Sequence, residues 1–130
     1  MWLSKQNVNL QENQSADIGD VTISGSRLGI YTDMEQRNVP LYAPGGYFWR
    51  PKVGQKILVI KKDDTVLCAT GTEVTDLPSN LAGGEICLKA DGAASIFIKN
   101  NGSLILSGNM TLKGNVNIEG SLSINGTPIM

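Results

Sequence analysis

Residues 103–126 read Ser103-Leu104-Ile105-Leu106-Ser107-Gly108, Asn109-Met110-Thr111-Leu112-Lys113-Gly114, Asn115-Val116-Asn117-Ile118-Glu119-Gly120 and Ser121-Leu122-Ser123-Ile124-Asn125-Gly126. Glycine closes each six-residue unit, and Gly102 sets the same period one unit earlier. A repeat of this kind decides the architecture before any other signal. In every unit the second and fourth positions are apolar, and the two-residue period of a strand puts both on one face. The intervening Ser, Thr, Asn, Lys and Glu face the other way. Each unit therefore predicts one short strand and one bend, with glycine free to take positive φ at the corner.

Carried backwards, the register finds Ile96 and Ile98, then Ile86 and Leu88. The spacing from pair to pair runs ten, eight, six, six, six, which predicts a shaft that narrows toward the C-terminus. Strands of three or four residues in a lone ribbon leave most backbone groups unpaired and one apolar face in water. Three chains about one axis pair those edges and bury that face. The expected trimer core is Ile86, Leu88, Ile96, Ile98, Leu104, Leu106, Met110, Leu112, Val116, Ile118, Leu122 and Ile124. A single-chain hexapeptide solenoid is the competing reading. It typically carries one large aliphatic per unit where this chain has two, and it usually uses a histidine base that is absent here. An ordinary β-sandwich with an accidental period is the other.

Outward from the repeat the texture changes. Residues 18–69 carry most of the aromatics, and 71–84 form the join. Residues 20–25 and 29–32 read as strands separated by turn signals. Pro44-Gly45-Gly46 is a turn between two aromatic-bearing arms, which predicts a hairpin-like excursion. Residues 56–61 are an apolar run bounded by lysines, and Asp63-Asp64 turns the chain into a second strand at 66–69. Five or so short strands in about 70 residues suit a small closed barrel, which hides its edges. The expected fold is all-β: an arm over 1–17, an OB-like barrel over 18–80, and a tapering, intertwined triple-stranded β-helix over 81–130. The arm has few apolar anchors, Trp2, Leu3, Val8 and Leu10. It is read as ordering on a partner, as a disordered tail, or as an extra barrel strand.

Composition narrows the function. The 130 residues include 15 glycines and are 41% hydrophobic, with net charge -1 and scattered basic residues. No electrostatic footprint for nucleic acid or an anionic membrane is present. No stretch reaches the roughly 20 apolar residues of a membrane span, and residues 1–20 lack the apolar core of a secretory signal, so assembly in the cytosol is expected. Histidine is absent, which removes the commonest general base and metal ligand. Cys68 and Cys87 lack zinc or disulfide-framework spacing and read as two packed thiols. No catalytic residue, cofactor or metal is expected.

The order of these pieces resembles the central spike proteins of contractile phage tails, R-type bacteriocins and related contractile injection systems, the baseplate spike (assembly protein V-like) family. The resemblance covers most of the chain. It rests on 47–60, beginning Tyr47-Phe48-Trp49-Arg50-Pro51, on Leu67-Cys68-Ala69-Thr70-Gly71, on the glycine-paced shaft, and on the ending Ile124-Asn125-Gly126-Thr127-Pro128-Ile129. It implies a homotrimer whose OB-like domains dock to a tail or baseplate hub and whose β-helix plugs the tube end and leads contraction through the target envelope. The expected setting is a virion or secreted-particle baseplate, made in bacterial cytoplasm, with mechanical rather than enzymatic action. Family members that hold iron at the apex use a His-x-His motif, which this chain lacks. Thr127, Pro128, Ile129 and Met130 are then the candidates for capping the tip by packing.

Several residues carry a second reading. Tyr42, Tyr47, Phe48 and Trp49 are candidates for a base-stacking platform, since some OB folds bind single strands through aromatics and a basic groove, but with no basic groove here they read as barrel core or subunit interface. Asp63-Asp64, and Asp17 with Asp20, resemble carboxylate pairs or calcium ligands; too few oxygens converge, and solvated turns are favoured. Lys113 and Glu119 lie one unit apart on the outer face and are candidates for a weak pair. A trimeric host-recognition fibre, a hexapeptide-repeat acyltransferase and an OB-fold nucleic-acid binder remain the alternative functions. The lack of aromatics after Phe97 argues against a gripping fibre head.

Overall fold

The computed structural model describes residues 15–92 and 94–129, and all of its regular structure is β. The chain divides into two compact units after Asp76.

The first unit is one five-stranded sheet, built from β1 (Ala16–Ile23), β2 (Leu28–Tyr31), β3 (Glu35–Val39), β4 (Lys56–Lys62) and β5 (Thr65–Thr72) in the order β3-β2-β1-β4-β5. Every neighbouring pair is antiparallel. Alternation places Val21, Leu28, Ile30, Val39, Ile57, Val59, Val66 and Ala69 inside, where each is buried. Register shifts in the β1–β2, β2–β3 and β4–β5 pairs add the local twist that curls so short a sheet. Asn38, at φ 58°, sits within the irregularity of β3. Gly19 faces the core because a Cβ there would strike the Ile30 side chain.

The curl brings β3 toward β5. Gln36 spans the two strands: its Nε2 donates to the Asp64 carbonyl at 3.1 Å, and its Oε1 accepts from the Val66 amide at 2.8 Å. Just beyond β3, Leu41 makes a parallel bridge to Ala69. There the Tyr42 amide donates to the Ala69 carbonyl, and the Ala69 amide to the Pro40 carbonyl. The expected hairpin at Asp63-Asp64 forms, joining β4 to β5 with Asp63 at φ 56°.

Three expectations change. Of the arm read over 1–17, residues 1–14 lie outside the described residues, while Ala16 and Asp17 are already paired in β1 with Ile60 and Val59. The Pro44-Gly45-Gly46 reversal closes with the Tyr47 amide on the Pro44 carbonyl, but its arms do not pair with each other, because Leu41 is taken by Ala69. The third concerns the second unit. Its β6 (Ile86–Lys89), β7 (Ser95–Ile98) and β8 (Leu104–Ser107) form an antiparallel meander, and β9 (Leu122–Ile124) and β10 (Thr127–Ile129) form a hairpin. The ten- and eight-residue spacings, read from sequence as wider turns of a taper, are spent instead on reversing the chain between β6, β7 and β8. A six-residue unit leaves too little chain for a four-residue strand and a reversal, so the meander stops at β8.

Candidate assembly surface

Cross-strand register decides which side chains share a face. Ile86 lies opposite Ile98 and Leu88 opposite Ile96; Ile96 then lies opposite Leu106 and Ile98 opposite Leu104. Directly opposed residues of paired strands point the same way. Six of the twelve residues read as trimer core thus form one continuous face of the meander, and all six are exposed. Cys87, Phe97 and Ile105 form the row on the opposite face. Ile105, in the third position of its unit, is an apolar residue the two-per-unit pattern does not account for.

From 109 to 121 the four core candidates Met110, Leu112, Val116 and Ile118 stand 50 to 65% exposed. Among the described residues, none in this segment is assigned to a strand and no backbone hydrogen bond joins it to the rest of the chain. Its geometry still repeats: Gly108, Gly114 and Gly120 take φ of 130°, 122° and 134°. That region strongly favours glycine, which explains the six-residue period. Every described residue from 100 to 129 is exposed. Backbone groups and apolar side chains are rarely left together in water over such a length.

At the C-terminal end, Ile124 pairs with Thr127, Ser123 with Pro128 and Leu122 with Ile129. Asn125 and Gly126 both take positive φ, 51° and 79°, as a two-residue primed turn demands. Gly126 is therefore a point of reversal rather than another shaft corner, and the farthest point of this hairpin is Asn125-Gly126. The Asn-Gly dipeptide carried that signal, and the glycine period masked it. Of the tip candidates, Thr127, Pro128 and Ile129 form β10, and Met130 lies outside the described residues. Leu122, Ile124 and Ile129 share one face. Pro128 occupies a non-hydrogen-bonded position, so its missing N–H removes a donor from the outer edge of β10.

The upstream end is tied by polar contacts. The Glu85 carboxylate accepts from the Ala82 amide, the Asn100 amide and the Lys99 ammonium, each at 2.9 Å. Lys99 also donates to the Asn80 carbonyl, and the Asn100 side chain to the Gly83 carbonyl. The Ala82 amide above all, then the Asn100 amide and Lys99, hold the Glu85 carboxyl down at about 2. The Lys99 ammonium also lies 5.5 Å from the centre of the Phe97 ring. Sequence patterning gives no hint of this knot, because its members lie in two loops.

The remaining candidates separate. Asp17 pairs with Lys61 and Asp20 with Lys56, so these carboxylates do not converge. Asp63-Asp64 is a turn. Lys113 and Glu119 make no ion pair among the described residues. Among the described residues, no cluster of three or more acidic, cysteine or histidine side chains is placed to hold a metal. Cys68 and Cys87 are half-buried and free. Of the aromatics, Trp49 packs against the core, whereas Tyr42, Tyr47 and Phe48 are exposed. No family model and no curated protein matches this chain.

Proposed function

We propose that the chain is one protomer of a homotrimeric spike in a phage tail baseplate or related contractile injection system. In that role it docks to a hub, plugs the tube end and enters the target envelope first. The observation that carries the reading is the set of apolar residues between 86 and 124, which lie in two sheets and the strandless segment between them and which none of the described residues covers. Three copies turned about one axis bury those residues, and the 109–121 backbones pair between copies as an intertwined triple-stranded β-helix. The meander of each chain forms one wall of the upper prism. Mechanical work suits this arrangement, since loads along the axis fall on strands and not on a catalytic cleft.

The first unit is read as an OB-like barrel, the hub-docking module. Support comes from its strand order, with β1 between β2 and β4, and from the parallel bridge between Leu41 and Ala69 that links its two edges.

The test is a matched pair of substitutions. Ile118→Asp places a charge on the axis and abolishes trimers, whereas Glu119→Gln on the outer face leaves them intact. Equal behaviour of the two in size-exclusion chromatography contradicts the reading.

A further inference from the structure

A cyclic trimer needs two different, complementary patches on each protomer, because its interface is heterologous. The first unit displays such a pair. One is a knob. The loop between β3 and β5's partner β4 is held at one end by the Leu41–Ala69 bridge and at the other by Pro51, which is buried and accepts from the Ser24 hydroxyl at 2.6 Å. Trp49 packs inward, and the neighbouring Phe48 is left 96% exposed, beside Tyr47. Anchors on both sides hold this side chain out before any partner arrives, which lowers the ordering cost of binding. The other patch is a shallow apolar groove on the outer sheet face. Ile18, Leu58 and Thr70 lie in one row across β1, β4 and β5, and Gly71, Thr72, Lys56 and Glu73 also line the groove.

Charge separates the two patches. Arg50 stands exposed two positions from Phe48, with no ion pair among the described residues. At the groove, the Lys56 ammonium is paired with Asp20 at 2.6 Å and also lies in the field of the exposed Glu73 carboxylate, so two carboxylates share one ammonium and the rim keeps net negative charge. The patches also adjoin. Tyr47 and Trp49 border a hollow with Thr70, Gly71 and Thr72, and those same three residues edge the groove. Two complementary patches meeting along one edge are what a closed ring about an axis through that edge requires. We infer that the Phe48 knob of each copy seats in the Ile18–Leu58 groove of the next, with Arg50 paired to Glu73 across the boundary and the Thr70–Thr72 edges gathered at the three-fold axis. The inference rests on the trimer proposed above and adds a second interface, in the first unit, to the one along the shaft.

The experiment uses full-length chains with Cys68→Ser and Cys87→Ser. One chain keeps Phe48 and carries Tyr47→Cys and a mass tag, the other Leu58→Cys, and the two are co-expressed and treated with a short bismaleimide. Both positions are exposed, so neither change disturbs the core. The expected result is a mixed cross-linked dimer on a denaturing gel. Arg50→Glu in the tagged chain reduces its yield several-fold, and Glu73→Arg in the other chain restores it. A trimeric mass with no mixed cross-link overturns the knob and groove while leaving the trimer standing. A monomeric mass overturns both.

Discussion

The Lys99 ammonium lies 2.9 Å from the Glu85 carboxylate, and both side chains are largely buried at 18% and 7% exposure. The same carboxylate takes two backbone amides, so one side chain fastens the loop before β6 to the turn after β7. This polar contact set stands just ahead of the exposed apolar face of the second unit.

Glu85 makes this knot sensitive to acid. Its carboxyl titrates at about 2 in the folded chain against an ordinary 4.5, so the unfolded chain binds the proton more readily. The stabilisation is complete above the ordinary value and is lost as pH falls from there toward 2. Glu85→Gln should lower the melting temperature at neutral pH, and its difference from wild type should shrink across that window in circular dichroism melts. A difference independent of pH would show that the carboxylate's charge does not hold the knot.

Gln36 offers a test of closure in the first unit. Gln36→Leu removes both bonds between β3 and β5 and leaves the Val66 amide without its partner, which should cost about 1–3 kcal/mol. Urea unfolding followed by tryptophan fluorescence in a Trp2→Phe background, where Trp49 alone reports, measures it. An unchanged midpoint would mean that the β3 and β5 edges are held by the Leu41–Ala69 bridge alone.

Gly114 and Gly45 form a matched pair for the repeat. Neither would meet a neighbour with a Cβ, but only Gly114 has positive φ, at 122°. Gly114→Ala should destabilise by about 1–3 kcal/mol through backbone strain, and Gly45→Ala by much less. Thermal melts of the two variants decide; equal losses would contradict the corner role of the six-residue glycines.

Legibility in the sequence followed the length scale of each signal. The apolar pairs of the second unit were readable because a two-residue period and a six-residue glycine period agree, and the β6–β8 register places Ile86, Leu88, Ile96, Ile98, Leu104 and Leu106 on one face. Strand β3 was not readable: Glu35-Gln36-Arg37-Asn38-Val39 buries only Val39, and its main tie is the Gln36 amide, which no hydrophobic pattern records. The Asn125-Gly126 reversal was hidden by a glycine that fell on the period. Phe48 could be seen as aromatic from sequence, but the direction it points depends on Trp49 taking the core.

The central claim is that this chain does not stand alone. Light scattering of the purified protein at micromolar concentration tests it most directly. The account predicts a mass three times the 13.9 kDa of one chain. A mass of one chain, unchanged as concentration rises, would contradict it.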